Sequence, residues 1–194
     1  MKQKLALFLS VLGFVTVVLQ FYLMMENRTV SVMESVIRFF SYFTILSNLI
    51  LAIVLSLQSF QKETIKFFTP ITVYITIVGL VYQILLRHTW NPTGLQRIVD
   101  ESLHSVIPLL AIVYWFLFEE RKIRYAEIPK WLLFPLAYLI YILIRGNYSG
   151  FYPYPFVDVN HFGLNQVLIN SGFMLTAFVV VSALLVWIIK LRTK

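Results

Sequence analysis

The sequence contains no cysteine, which excludes disulfide bonds, thiolate catalysis and cysteine metal ligands. Charged residues are also scarce, at 13% of the chain, whereas hydrophobic residues make up 59%. A soluble domain of ordinary composition is about half apolar and about a quarter charged. Because the surplus of apolar residues is concentrated in long runs, the composition predicts an integral membrane protein.

Six apolar runs are long enough, or nearly so, to cross a bilayer as helices, which takes about 20 residues each. They cover approximately residues 5–25, 38–57, 70–87, 102–118, 130–145 and 165–189. The fifth run is short and contains Pro135, which predicts a kink or a tilt. No linker rich in Pro, Gly or Ser separates the runs. We therefore predict an all-α integral membrane protein, a six-transmembrane-helix bundle in which residues 1–194 form a single domain.

Basic residues are distributed unevenly among the segments between the runs, and cytoplasmic segments collect Lys and Arg. With the amino terminus inside, eleven of the 16 basic residues are cytoplasmic. These are Lys2, Lys4, Lys62, Lys66, Arg121, Lys122, Arg124, Lys130, Lys190, Arg192 and Lys194; the outer five are Arg28, Arg38, Arg87, Arg97 and Arg145. Both termini are therefore predicted to be cytoplasmic. The net charge of +7 needs no nucleic-acid partner to explain it.

Polar residues recur at helical spacing inside three of the runs, so that each set shares one helix face. The sets are Ser41, Thr44 and Asn48 in the second run; Thr72, Thr76, Gly79, Gln83 and Arg87 in the third; and Asp100, Glu101, His104 and Pro108 in the fourth. An unsatisfied polar group facing lipid costs several kcal/mol, so we expect these faces to turn toward one another. Ordinary helix–helix adhesion also uses Ser, Thr, Asn and Gly, and it accounts for Thr72, Thr76 and Gly79 without a chemical role.

His104 is the one histidine clearly inside a predicted span, since His88 and His161 fall in outer loops. An ionisable residue at membrane depth indicates function, and imidazole can take and return a proton; a hydrogen-bonded structural histidine is the alternative. Haem would need paired axial histidines in facing helices. Zinc is not supported, because the HExxH motif and cysteine are both missing. No metal or cofactor is predicted.

Thr44 and His104 are predicted to lie at similar depth in the outer leaflet. Thr44 follows Arg38 by roughly 9 Å along a helix, and His104 follows Glu101 by about 5 Å. A hydroxyl beside an imidazole has the composition of a base-activated nucleophile.

Three separated motifs and one further fragment carry a resemblance to a known family. They are FFSYFTILSN (39–48), DESLHSVIP (100–108), GFYPYPFVDV (150–159) and LLRHTWNPTGLQ (85–96). In this order and on six helices, they resemble the androgen-induced and androgen-dependent TFPI-regulating protein family, and in particular its bacterial branch of Pr-six-Pr membrane proteins. The resemblance covers nearly the whole chain and implies a multi-pass protein of the cell's inner (plasma) membrane.

The eukaryotic members of that family are intramembrane threonine hydrolases. They cleave lipid esters in which one fatty acid is attached to a hydroxyl on another. The resemblance implies that His104 is the base and that Thr44 is the nucleophile. An ungapped match starting at the two aromatics selects Ser41 instead; we favour Thr44 because it keeps the residue type. The active site would face the extracytoplasmic leaflet, and the substrate would be a membrane lipid ester.

Further residues follow from this enzyme hypothesis as supporting groups. We expect Asp100, Glu101 or Asp158 to orient the imidazole. The candidate oxyanion donors are Asn48, Arg87 and Asn170. The outer loop with Tyr154 and Asp158 is expected to fold back over the site. Two other functions remain open, namely a lipid- or sterol-binding protein without turnover and a small transporter, and the sequence predicts no oligomeric state.

Overall fold

The computed structural model describes residues 1–61, 65–89 and 91–192. This description leaves out residues 62–64, 90 and 193–194. Lys62 and Lys194, two of the basic residues predicted to be cytoplasmic, are among them. The described residues form helices and no strand. The chain is therefore an all-α membrane protein, and the predicted fold class is confirmed.

The α-helices vary widely in length, and short π-helical and 3-10 segments lie between some of them. The α-helices are α1 (Lys2–Glu26), α2 (Val32–Phe40), α3 (Phe43–Ser59), α4 (Phe68–Val81), α5 (Gly94–Glu101), α6 (Ile107–Phe118), α7 (Ile128–Trp131), α8 (Leu133–Ser149) and α9 (Val159–Arg192). A π-helical turn at Tyr82–Leu86 continues α4, and a second one at Ser102–Val106 joins α5 to α6. Segments of 3-10 helix occupy Tyr125–Glu127 and Pro155–Val157.

Among the residues that the structure describes, five helical stretches are long and apolar enough to cross a membrane. They are Lys2–Glu26, Phe68–Leu86, Gly94–Phe118, Tyr125–Ser149 and Val159–Arg192. Helices α2 and α3 pass the same test together but are bent by 70° at the break between them. The six predicted runs agree with these stretches when α2 and α3 are counted as one broken span.

The second run is not the straight helix that its apolar character predicts. Ser41 ends α2, and its hydroxyl donates to the carbonyl of Ile37, four residues earlier, at 2.7 Å. Such back-bonding by serine bends helices, and the next residue, Tyr42, has an extended backbone with ψ of 124°. Thr44 therefore lies in the first turn of a new helix. The expectation that Ser41 and Thr44 share one helix face is wrong for this reason.

The chain divides into two compact units, residues 1–121 and residues 122–194; each is described by itself, and the single-domain expectation stays a prediction. In the first unit α1 packs along α3, where Ser10 Oγ donates to the carbonyl of Ala52 at 2.9 Å. Gly13 permits this approach, because a Cβ at that position would lie 3.0 Å from the Ala52 methyl.

In the same unit, a buried polar network joins the first turn of α4 to the end of α6. The Thr69 hydroxyl donates to Glu119 Oε2 at 2.7 Å and accepts from the Trp115 indole at 3.0 Å. The Arg121 guanidinium donates to both Glu119 oxygens, at 3.0 and 2.7 Å. The carboxylate is fully enclosed by the protein, and the pairing satisfies it there.

The second unit holds α7, α8, an aromatic loop and α9. Pro135 lies in the first turn of α8, where its missing N–H breaks no helical hydrogen bond. In place of the kink predicted at Pro135, the helix is interrupted at Leu132, between α7 and α8. The ring of Tyr152 packs directly on Gly146, where a Cβ would overlap it. Burial and the nearby Asp158 carboxylate raise the pKa of the Tyr152 phenol above its ordinary value.

Candidate active site

Thr44 and His104, which are 60 residues apart in sequence, meet inside the first unit. Thr44 Oγ1 lies 3.4 Å from His104 Nε2. Thr44 is 7% exposed and belongs to the first turn of α3; His104 lies in the second π-helical turn. The bend at Ser41 and Tyr42 starts α3 at Phe43, so the amino-terminal end of this helix lies beside the threonine hydroxyl.

The π-helical turn that carries His104 has a local cause in the sequence. Pro108 has no N–H, and its ring crowds the carbonyl of the residue four positions earlier, which is His104. The N–H of Ile107 donates to Ser102, five residues back, instead of four. Gly79 of α4 makes room for the displaced turn, because a Cβ there would be 3.3 Å from the His104 carbonyl oxygen and 3.2 Å from Pro108 Cβ. Turns of this kind are frequent at functional sites.

The hydrogen bonds of His104 assign its tautomer. Nδ1 lies 2.9 Å from the backbone carbonyl of Asp100, and a carbonyl can only accept, so Nδ1 carries a proton. In the neutral ring Nε2 is then the nitrogen with the free lone pair, and it faces the Thr44 hydroxyl. This is the arrangement that a general base requires.

Asp100 also approaches the imidazole through its side chain. The carboxylate is buried, and Oδ1 lies 3.3 Å from His104 Nδ1. The other oxygen, Oδ2, accepts a hydrogen bond from the Tyr82 hydroxyl at 2.5 Å. Asp100, one of the carboxylates expected to orient the imidazole, is thus in contact with it.

Tyr82 is a member of the site that sequence reasoning missed. Its ring stacks on the His104 imidazole, with ring centroids 4.3 Å apart and planes 14° apart. It follows Gly79 by three residues and so continues the polar stripe of the third run. The signal was present, but a tyrosine in an apolar helix looks like any other packing residue.

Glu101 and Arg87 lie in a separate ring of hydrogen bonds next to this cluster. Arg87 donates to Glu101 Oε1 and to Gln83 Oε1, at 2.7 and 2.6 Å. Gln83 donates to Ser105 Oγ at 2.8 Å, and Ser105 donates to Glu101 Oε2 at 2.7 Å, which closes the ring. Glu101 therefore pairs with Arg87 and Ser105 and not with His104. Arg87, one of the expected oxyanion donors, uses two of its guanidinium nitrogens in the hydrogen bonds to Gln83 and Glu101.

Asn48 is not placed to serve as the expected oxyanion donor. Its Nδ2 donates to the carbonyl of Thr44 at 2.9 Å and to that of Leu103 at 3.3 Å. Both amide hydrogens are therefore used on backbone oxygens. The buried Asn48 Oδ1 and its neighbour Ser47 Oγ have no hydrogen-bond partner among the residues that the structure describes. The role that this geometry supports is to join α3 to the turn that carries His104.

The remaining predicted residues have the following contacts, each within its own unit. Ser41 is buried and donates to Ile37, as described above. In the second unit, Asn170 Nδ2 donates to the Phe156 carbonyl at 3.0 Å, and the Tyr154 ring stacks on Phe156 at 5.4 Å.

Asp158 of the second unit begins α9. Its Oδ1 accepts from the backbone N–H groups of Asn160 and His161, at 2.9 and 3.3 Å. Side-chain caps of this kind satisfy the first N–H groups of a helix. That this loop covers the Thr44–His104 pair stays a prediction.

Comparison of the chain with family models, with curated proteins and with solved structures finds no match in any of the three.

Proposed function

We propose that this protein is an intramembrane hydrolase of lipid esters, in which Thr44 is the nucleophile and His104 the base. The observation that carries the proposal is the relay from the Thr44 hydroxyl through the imidazole to Asp100. The substrate we propose is an ester that joins a fatty acid to the hydroxyl of another fatty acid. This is the chemistry of the threonine hydrolase family that the chain's motifs resemble, and membership of that family is part of the proposal.

The reaction runs in two acyl-transfer steps. His104 Nε2 takes the proton of Thr44 as Oγ1 attacks the ester carbonyl carbon, and the carbonyl oxygen becomes an oxyanion. When this intermediate collapses, the alkoxide of the hydroxy fatty acid leaves and takes the proton from Nε2. Water then gives a proton to Nε2 and attacks the acyl-threonine. Thr44 Oγ1 leaves with that proton, and the fatty acid is released.

Two features of the site stabilise the charges that develop. His104 Nδ1–H donates to the Asp100 backbone carbonyl, and the Asp100 carboxylate lies 3.3 Å from Nδ1, so its negative charge favours the imidazolium that forms when Nε2 is protonated. The amino terminus of α3, beside Thr44, is the positive end of the helix dipole. A negative oxygen that develops there is stabilised by the dipole, and this replaces the side-chain donors expected from the sequence.

The extracytoplasmic leaflet of the cell's inner (plasma) membrane is the location that the charge distribution favours for this site. Arg121 donates to the Lys66 carbonyl at 2.9 Å, so both basic residues lie at the start of α4. Tyr82 follows Phe68 on the same helical stretch by fourteen residues, or ~21 Å. Because basic ends are cytoplasmic, the Tyr82 end of this stretch faces outward, with both chain termini inside.

Hydrolysis of a lipid ester by the purified protein in nanodiscs tests the proposal. We expect Thr44→Val to abolish release of the fatty acid and Thr44→Ser to retain it. His104→Gln should lower the rate roughly 10²- to 10⁴-fold, as expected for loss of a general base. Thr72→Val is the matched control, because the buried Thr72 hydroxyl donates only to Phe68 in its own helix among the contacts described. Lipid that is retained by the wild type without hydrolysis of any ester offered would replace the enzyme by a binding protein.

A further inference from the structure

Tyr82 contacts both groups on which the proton relay depends. Its hydroxyl donates to Asp100 Oδ2, and its ring lies parallel to the His104 imidazole. The two contacts come from different parts of one side chain, and both partners lie in the next helical stretch of the chain.

The hydroxyl contact determines which way the Asp100 carboxylate faces. A carboxylate can rotate and present either oxygen to a neighbour. With Oδ2 held by Tyr82, Oδ1 is the oxygen that faces His104 Nδ1, at 3.3 Å. A hydrogen bond to a charged acceptor is stronger than one between neutral groups, so this contact holds the carboxylate firmly.

The ring contact determines the rotation of the imidazole. The His104 ring must present Nδ1 to Asp100 and Nε2 to Thr44 at the same time. A flat aromatic surface 4.3 Å away restricts the ring to one plane, and in that plane both nitrogens meet their partners.

We propose that Tyr82 is a positioning residue of the hydrolase, and that it aligns Asp100 through its hydroxyl and His104 through its ring. This inference rests on the proposed function. It assigns Tyr82 no contact with the substrate, so its loss should lower kcat and leave KM unchanged. Two variants separate the role of the hydroxyl from that of the ring. Tyr82→Phe removes only the hydroxyl, whereas Tyr82→Leu removes the hydroxyl and the ring.

A double-mutant cycle of Tyr82→Phe and Asp100→Asn tests the hydroxyl. We expect Tyr82→Phe alone to lower kcat roughly ten- to a hundredfold, the effect of one hydrogen bond to a charged group. In the Asp100→Asn background the same change should have little further effect, because Tyr82 then has no carboxylate to orient. Equal losses in both backgrounds would show that Tyr82 acts independently of Asp100, and the proposal would be wrong.

Tyr82→Leu and Tyr114→Phe complete the set. Tyr82→Leu should lower kcat further than Tyr82→Phe, because the stacking surface is lost. Tyr114 is a buried tyrosine of α6 whose hydroxyl makes a long contact, 3.5 Å, with the Lys2 carbonyl. Tyr114→Phe should therefore leave kcat unchanged, which separates loss of any buried tyrosine hydroxyl from loss of this one.

A measurement without turnover keeps this inference separate from the proposed function. His88 and His161 are exposed, so a His88→Gln/His161→Gln protein leaves His104 as the one histidine for ¹⁵N NMR. We expect the Nδ1–H tautomer in this protein and a shift toward the Nε2–H tautomer when Tyr82→Leu is added. If the tautomer does not change and kcat does not fall, Tyr82 has no positioning role. If the tautomer shifts but no ester is cleaved, the positioning holds and the proposed function fails.

Discussion

Asn48 and Leu103 join the two halves of the candidate site. Asn48 Nδ2 lies 3.3 Å from the Leu103 carbonyl oxygen, and the same nitrogen donates to the Thr44 carbonyl. In an α-helix Leu103 would accept from the N–H of Ile107, but that group donates to Ser102. The amide therefore fills the place left open by the π-helical turn, and it does so one residue before His104.

Asn48→Leu should weaken both the stability and the activity of the protein. The change keeps the volume roughly constant but leaves the Leu103 carbonyl without its side-chain donor, which costs about 1–3 kcal/mol for a buried group. We expect a lower midpoint of thermal unfolding and a lower kcat, because α3 and the His104 turn are no longer joined. Ser47→Ala is the control: the buried Ser47 hydroxyl has no partner among the described residues, so its removal should be neutral or slightly stabilising. Equal effects of the two changes would contradict this account.

Gly79→Ala should reduce activity more than it reduces stability. The new methyl group would meet the His104 carbonyl at 3.3 Å and Pro108 at 3.2 Å, so the π-helical turn must shift by a few tenths of an ångström. A shift of this size at the base misaligns Nε2 and Thr44, and the rate of hydrolysis reports it. Gly172→Ala in α9 serves as the control, because nothing lies within 4 Å of a Cβ there. Unchanged kcat in Gly79→Ala would show that the turn tolerates displacement.

Thr69→Val should have the opposite profile, with lower stability and unchanged kcat. It removes one hydrogen-bond donor to the enclosed Glu119 carboxylate, and it also removes the acceptor of the Trp115 indole N–H. Leaving such groups unpaired costs about 1–3 kcal/mol each. The network lies at the end of α4 away from Tyr82, so the geometry of the site should persist. The midpoint of thermal unfolding and kcat measured on the same preparation check both parts, and a fall in kcat per folded molecule would show that the two ends are coupled.

His104 could be singled out because it is an ionisable residue within an apolar run, and its proximity to Thr44 could be predicted from their similar depth; the choice of Thr44 over Ser41 came from the family resemblance of the motifs. The break between α2 and α3 could not, because Ser41 and Tyr42 do not interrupt the hydrophobicity of residues 38–57. That break removes Ser41 from the helix face of Thr44.

The π-helical turn at His104 could not be predicted either, because a hydrogen bond to the fifth residue back leaves no periodic pattern in the sequence. Pro108 was the one residue of the local sequence that pointed to a disturbed helix there. Tyr82 was missed because the chemistry of its hydroxyl depends on a carboxylate 18 positions later in the chain. Contacts of that kind arise only from the packing of one helical stretch against another.

The residue that reacts with a fluorophosphonate probe tests the central claim most directly. The tryptic peptide that follows Arg38 contains both Ser41 and Thr44, and fragment ions in tandem mass spectrometry distinguish the two hydroxyls. We predict that the probe is attached to Thr44 and that His104→Gln suppresses labelling of the folded protein. Attachment to Ser41, or full labelling of the Thr44→Val protein, would contradict the assignment of Thr44 as the nucleophile.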